Sequence, residues 1–105
     1  MSAENSDIRQ VDGGVCAARG YRAAGVAAGI KESGERDVAL IVSEAPATAA
    51  AVFTRNQVVA APVLLSRERL GGGPIHVLAV NAGNANCCTG HQGLADARRM
   101  AEVAA

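Results

Sequence analysis

Short apolar blocks separated by polar turns make up most of this chain, and helical spacing dominates only its last segment. Residues 1–20 are polar and aperiodic, which predicts a flexible lead-in to a folded portion spanning 21–105. Tight connections separate three apolar runs that follow: GVAAGI at 25–30, DVALIVS at 37–43 and TAAAVFT at 48–54. Their length and composition predict a meander of three strands, with Pro46 in the second connection.

Residues 56–70 fit two secondary structures. Their valines and leucines suit a buried strand, whereas the end of the segment has helical spacing. Because proline is tolerated in the first turn of a helix, we favour a helix that begins near Ala61, with the strand as the alternative. The GGGP sequence at 71–74 ends this element, and IHVLAV at 75–80 predicts a further strand.

The last segment has the clearest pattern. Thr89 and Gln92 have the spacing of a capping box, and an apolar stripe from Leu94 to Ala104 follows one helical face. The pattern reaches the final residues, EVAA, without a stop signal, which predicts a truncated or divided protein with this stripe uncovered. The predicted fold class is α/β (α+β), with mostly antiparallel or mixed strands and one clear C-terminal helix.

Charge and composition exclude several classes of function. The 105 residues contain ten basic and ten acidic side chains, one Tyr, one Phe and no Trp. Nucleic-acid binding therefore lacks both its positive field and its stacking surfaces. Every apolar run is shorter than a membrane span, so we expect a cytoplasmic protein with no membrane partner.

Candidate chemistry concentrates in NAGNANCCTG at 81–90, between a predicted strand and a predicted helix. Cys87 and Cys88 are adjacent and Cys16 is remote, which matches neither zinc-ligand spacing nor a CxxC redox pair. We therefore expect no metal site, and thiols that are buried or half-buried in packing. The alternative is a Cys88–His91 nucleophile at the start of the helix.

The amides of this stretch allow two interpretations. Asn and Gly residues after a strand often build a turn through local hydrogen bonds. A rigid wall beside a substrate pocket is the other interpretation, because ordered loops on a scaffold often serve function. The pocket-support residues of that hypothesis are Asn81, Gly83, Asn84 and Asn86.

Three stretches closely resemble the N-terminal part of the ornithine acetyltransferase family, the bifunctional glutamate N-acetyltransferases of arginine biosynthesis. They are GYRAAGVAAGIKESG, DVALIVSEAPATAAAVFTRNQVVAAPVLLSRERL and NAGNANCCTGHQGLADARRMAE. The resemblance runs from about Gly20 to the last residue. The family commonly has alanine where Cys87 stands and glycine where Ala51 stands.

The resemblance implies transfer of an acetyl group from N-acetylornithine to glutamate, with acetyl-CoA as a further donor in some members and no other cofactor. It also implies self-cleavage before a threonine that becomes the nucleophile, and a threonine–glycine pair that stabilises the oxyanion. Both lie beyond residue 105, and Thr48, Thr54 and Thr89 do not fall in the cleavage motif.

Further implications concern the fold and the partners. The family fold is layered, with helices outside two sheets, and the expected partners are the remaining polypeptide, amino-acid substrates and further copies in an oligomer. Two alternatives from other classes are a stand-alone module that dimerises through an uncovered face and a thiol enzyme that uses Cys88 and His91.

Overall fold

A computed structural model describes residues 7–105 of the chain. A short 3₁₀ helix, Gly14–Ala17, precedes the regular elements, and residues 1–6 of the predicted lead-in lie outside the described part. The strands and helices, in chain order, are β1 (Tyr21–Val26), β2 (Val38–Ala47), α1 (Ala61–Leu70), β3 (Ile75–Asn81) and α2 (Gly90–Ala104).

The three strands form one antiparallel sheet in the order β1-β2-β3. Val38 at the start of β2 pairs with Val26 at the end of β1 and with Asn81 at the end of β3. The connection from β1 to β2 and the loop that leaves β3 therefore lie at the same end of the sheet. We call this the amide end.

The predicted meander of three tightly connected strands is only partly correct: β1 and β2 are neighbours in chain and sheet, but α1 lies between β2 and the third strand. The first strand is Tyr21–Val26 and shares only residues 25 and 26 with the predicted run 25–30, because the chain after Val26 bends around the side chain of Asp37. Residues 48–54, predicted as a strand, form no regular element, and Val52 is 99% exposed. The third strand is β3, and Pro46 lies within β2, where the pairing with β3 shifts register between Val42 and Ala47.

The helix predicted near Ala61 is confirmed as α1, with Pro62 in its first turn. It packs against α2 through a small core of buried residues, Ala61, Leu65 and Ala97. The Arg98 Nη2 atom lies 2.9 Å from the Glu68 Oε2 atom, which adds an ion pair at the edge of this contact. Leu94, Ala97 and Ala101 of the α2 stripe thus pack against α1, and the prediction that the stripe would be uncovered is wrong.

The predicted capping box of α2 is also wrong. Thr89 does precede the helix, but its hydroxyl donates to the side chain of Asn86, and Gln92 donates to the Asp96 Oδ1 atom at 2.8 Å. Among residues 7–105, no helix combines the length and the hydrophobicity needed to span a membrane.

The apolar residues left uncovered lie on the sheet. Along β3, Ile75, Val77 and Ala79 are half-buried, whereas Leu78 and Val80 alternate with them and are 55% and 45% exposed. Leu78 and Val80 share their side of the sheet with the paired residues Ala23, Gly25, Ala39 and Ile41. We call this side the open face. Strands with apolar residues on both sides are typical of a sheet that is buried on both sides.

Candidate functional site

The amide end combines two loops. Residues 27–37 connect β1 to β2, and the second loop, 82–89, connects β3 to α2; we call the second one the amide loop. The two loops meet at Gly83. Its φ of 97° lies in the left-handed region, and a Cβ atom there would come within 2.8 Å of the Lys31 Cγ atom. Both the conformation and the close contact therefore require glycine.

Asp37 holds the first loop in place. Its carboxylate accepts hydrogen bonds from the backbone N–H groups of Ala28 and Ile30 at 2.7 Å and of Lys31 at 3.0 Å. Because these N–H groups converge on one carboxylate, they form a concave cradle for its negative charge. Asp37 is only 4% exposed, and the three bonds account for the burial of its charge.

The backbone of Asp37 joins the neighbouring strands as well. Its N–H donates to the Val26 carbonyl at 3.0 Å, and its carbonyl accepts from the Ala82 N–H at 2.8 Å. Backbone hydrogen bonds hold the pKa of the Asp37 carboxyl below its usual range. The bond from Ala28 contributes most, and those from Lys31 and Ile30 act in the same direction. One residue therefore ties β1, the first loop and the amide loop together.

Sequence reasoning missed Asp37 because 31–37 has the composition of a charged turn. The one available signal is the position of an acidic residue directly before an apolar strand, a few residues after the glycine-containing run AAGIK. Gly29 adopts a φ of 86°, which turns successive N–H groups toward the carboxylate.

The predicted pocket-support residues divide into two groups. In the first, the Asn81 side chain donates to the Asn84 carbonyl at 3.3 Å and closes a turn around Gly83. In the second, the half-buried Asn86 donates to the Gly93 carbonyl at 2.7 Å and accepts from the Thr89 hydroxyl. The structure thus brings Asn81, Gly83 and Asn84 into one turn and places Asn86 at the entrance of α2.

Gly93 completes the second group. A Cβ atom at Gly93 would collide with the Thr89 Oγ1 and Asn86 Oδ1 atoms, so a side chain cannot fit without moving them. Gly93 is also buried. The amide loop is therefore fixed to α2 by side-chain amide bonds and by direct contact with the backbone of the helix.

A shallow groove runs beside the amide end on the open face. Its lining includes Gly25, Arg36, Ala39, Val80 and Asn81, and its volume is about 160 Å³. A larger groove of about 350 Å³ lies at the other end of the sheet, around Tyr21 and Ser43. Since Ala82 also lines the smaller groove, the amide loop begins at the rim of an open, mainly apolar surface.

The cysteines differ from the expectation of buried or half-buried thiols. Cys16, Cys87 and Cys88 are all free and exposed. The Cys88 sulfur lies 3.8 Å from the Cys87 sulfur. In the described residues, 7–105, no hydrogen bond joins Cys88 to His91. In the same part of the chain, no group of three or more His, Cys, Asp or Glu side chains is placed to hold a metal ion.

Comparison with known proteins identifies relatives of this chain. Residues 22–105 match the ArgJ family. The arginine biosynthesis bifunctional protein ArgJ of Mycobacterium tuberculosis is 55% identical over 93 residues, which are 88% of this chain and 23% of that protein. The chain thus spans about 23% of the length of the curated relatives it matches.

Two solved structures share the fold. The crystal structure of ornithine acetyltransferase complexed with ornithine, from M. tuberculosis, superimposes with a TM-score of 0.74 at 54% identity and covers 77% of this chain and 42% of that one. The crystal structure of the arginine biosynthesis bifunctional protein ArgJ from Bacillus halodurans gives a TM-score of 0.79 at 42% identity, and covers 83% and 46%. These shares make each crystallised chain about half as long as the curated M. tuberculosis protein.

Proposed function

Since this chain belongs to the ArgJ family, we propose that it forms the N-terminal part of an acetyltransferase of arginine biosynthesis. The complete enzyme moves an acetyl group from N-acetylornithine to glutamate and releases ornithine. The match of residues 22–105 carries this proposal. The ornithine bound to the M. tuberculosis relative supports an amino-acid substrate of this type.

The chemistry of the complete enzyme belongs to polypeptide that follows residue 105. The nucleophile is a threonine exposed by self-cleavage, and a threonine–glycine pair binds the oxyanion. The half-length chains of the crystallised relatives support cleavage into two chains. Within the present chain, Thr89 is engaged with Asn86, which suits a structural role for its hydroxyl.

The present chain contributes the amide end as a rigid support for the pocket. Asn81, Gly83 and Asn84 fix the turn that leaves the edge of the groove at Asn81 and Ala82, and Asn86 fixes the start of α2. Asp37 anchors both loops, the first through its carboxylate and the amide loop through its backbone carbonyl. A scaffold held by local bonds keeps a substrate-facing surface in position and so lowers the entropy cost of ordering it on binding.

The remaining polypeptide is the partner of the open face. Leu78 and Val80 are 55% and 45% exposed on this face, and an exposed apolar patch of this kind marks an interaction surface. We place a second layer of the complete enzyme against this face, in a cytoplasmic oligomer in which the exposed cysteines stay reduced.

The test measures ornithine release from N-acetylornithine and glutamate. Three samples are compared: the 105-residue chain, the remaining polypeptide of a full-length relative, and the two together. We expect turnover only when both are present, because the chain contains neither the nucleophile nor the oxyanion pair. Acetyl-CoA in place of N-acetylornithine, with release of CoA and formation of N-acetylglutamate as the readout, shows whether the enzyme also uses that donor.

The control addresses the thiol-enzyme alternative, in which Cys88 and His91 act as nucleophile and base. Turnover by the chain alone that is lost in a Cys88→Ala, His91→Ala double variant would replace the proposed function with that alternative. Absence of turnover in the combined sample, with both parts folded and associated, would contradict the proposed function directly.

A further inference from the structure

β1 is an outer strand of the sheet, and one of its two edges has no neighbouring strand within residues 7–105. The Glu44 N–H donates to the Gly20 carbonyl at 2.8 Å and continues the register of β1 with β2, so these two residues form a hydrogen-bonded pair. Such pairs alternate along an antiparallel ladder, and every second residue of β1 therefore bonds to β2. The backbone N–H and C=O groups that point outward, to the free edge, are those of Tyr21, Ala23 and Gly25.

The pairing on the other side of β2 gives the same orientation. The Ala82 N–H donates to the Asp37 carbonyl at 2.8 Å, in line with the register of β2 with β3. By the same alternation, the backbone groups of Ala39 face β3, so its partner on β1, Gly25, cannot bond to it and faces outward. Outside the ladder with β2, no backbone hydrogen bond in the described part of the chain involves Ala23 or Gly25.

β1 lacks the features that usually protect an edge strand. Proteins block free edges with proline, a bulge, charged side chains or a covering helix. The sequence of β1, YRAAGV, contains no proline and one charged residue, Arg22, and its register with β2 is continuous from end to end. All 6 residues of β1 are exposed, whereas β2 and β3 are each partly buried. An open edge of this kind accepts a further strand through main-chain hydrogen bonds.

The position of this edge indicates which polypeptide supplies the strand. Ala23 and Gly25 also lie on the open face, which the proposed function assigns to the remaining polypeptide. This chain spans about 23% of the M. tuberculosis relative, so the rest of such a protein is long enough for a covering layer and a strand beside it. We propose that a strand of the remaining polypeptide pairs with β1 through the outward groups of Tyr21, Ala23 and Gly25 and continues the sheet. This inference rests on the proposed function and names a main-chain contact between the two parts.

Hydrogen exchange in the assembly of this chain with the remaining polypeptide tests the pairing without any variant. In an edge strand every second amide is bonded and the others exchange with water, whereas a strand with two neighbours protects all of its amides. We expect the amides of Ala23 and Gly25 to exchange within about tenfold of the rates of Ala24 and Val26. Faster exchange of Ala23 and Gly25 than that, in an assembly that releases ornithine, would overturn the pairing and leave the proposed function intact.

Isotope labels identify the neighbouring strand in the same assembly. When only the 105-residue chain is labelled, the amide protons of Ala23 and Gly25 should show isotope-filtered NOEs to protons of the unlabelled remaining polypeptide. A second sample mixes labelled and unlabelled copies of the 105-residue chain in the assembly. NOEs from these amides to an unlabelled copy would assign the edge to a second copy of this chain and overturn the proposal.

Proline at position 23 tests the main-chain bonds directly. Because the Ala23 N–H points away from β2, Ala23→Pro removes an outward donor and leaves the ladder with β2 intact. We expect this variant to weaken the association of the two parts at least about tenfold. Ala23→Val is the matched control, since it adds a side chain of similar size, keeps the N–H group and should associate normally. Normal association of Ala23→Pro would contradict the pairing, and an equal loss in both variants would assign the effect to side-chain packing instead.

Discussion

The amide end and the open face differ in whether their side chains find partners within this chain. At the amide end, polar groups find partners within this chain, and Asp37 alone accepts three backbone N–H groups. On the open face, Leu78 and Val80 find no cover from either helix and stay about half exposed. The polar groups of the amide end are therefore satisfied locally, whereas the open face keeps apolar surface that neither helix of residues 7–105 covers.

The largest expected effect tests the open face. Val80→Asp should abolish assembly with the remaining polypeptide, because a carboxylate would be buried there without a partner, at a cost of roughly 3 kcal/mol or more. In the isolated 105-residue chain the same change leaves the charge in water and should be tolerated. The measurement is co-purification of the two parts, followed by the ornithine-release assay.

Val103→Asp is the matched control, since it places the same charge on an exposed valine at the end of α2. It should change stability by no more than about 0.5 kcal/mol and leave assembly intact. Normal assembly of the Val80→Asp variant would show that the open face is free in the complete enzyme, and the comparison between the two regions would fail.

Sequence patterns predicted the elements that local composition determines. Pro62 marked the first turn of α1, and the apolar run 75–80 gave β3 almost to the residue. Residues 48–54 have strand composition as well, but strand formation needs a hydrogen-bonded neighbour, and composition does not report whether one exists. The Arg67 guanidinium lies 5.2 Å from the centre of the Phe53 ring, so this segment contacts α1 through a side chain instead.

The site was less predictable than the fold for a related reason. The pattern NAGNAN identified a loop rich in hydrogen-bonding side chains, and Asn86 does hold the entrance of α2. Asp37 left only a weak signal, because its partners are backbone N–H groups, which every residue type except proline carries. The spacing of Thr89 and Gln92 suggested a capping box, yet Asn86 competes for the threonine hydroxyl.

Asp37→Ala is expected to have the next largest effect, this time on the chain itself. It removes the acceptor of three backbone N–H groups, so both loops of the amide end should loosen. We expect the melting temperature in circular dichroism to fall by roughly 10 °C. Glu35→Ala, which removes an exposed carboxylate from the same connection, should have little effect, and an equal fall in both variants would contradict the anchoring role.

Asp37 also predicts a pH dependence. A carboxyl whose pKa is lower in the folded state stabilises the fold above its unfolded pKa of about 3.9, and this stabilisation is lost as pH falls through the folded value. Stability should therefore drop as pH is lowered below about 4, and the drop should be smaller in Asp37→Asn. An unchanged acid transition in that variant would assign the dependence to another carboxyl, such as Glu68, whose pKa the hydrogen bond from Arg98 lowers.

The two asparagines of the amide loop provide a smaller and more specific contrast. Asn86→Ala leaves the Gly93 carbonyl and the Thr89 hydroxyl without their partner and should cost about 1–3 kcal/mol in the free energy of unfolding. Asn84 contributes its backbone carbonyl to the turn, so Asn84→Ala should cost no more than about 0.5 kcal/mol.

If the amide loop supports the pocket, the effect of Asn84→Ala on turnover should not follow its small effect on stability. Asn84→Ala should lower turnover per folded molecule in the complete enzyme, although it changes the free energy of unfolding by no more than about 0.5 kcal/mol. Denaturant unfolding and the ornithine-release assay on the same preparations provide both quantities. Unaltered turnover in Asn84→Ala would support a loop that serves only as a turn.

The smallest expected effect isolates the contact between the two loops. Gly73 and Gly83 both have positive φ, but a Cβ at Gly73 would meet open space, whereas one at Gly83 would press on Lys31 and Ile30. Gly73→Ala therefore measures backbone strain alone, at about 1–3 kcal/mol, and Gly83→Ala measures strain plus contact. We expect Gly83→Ala to be more destabilising by about 1 kcal/mol, the lower limit for overpacking, because the nearest atom belongs to a flexible side chain.

Adding Lys31→Ala removes that atom and should recover most of the difference in urea unfolding. No recovery would place the conflict at the Ile30 side chain or the Lys31 backbone, and equal costs for the two glycine variants would show that the loops of the amide end do not press on each other.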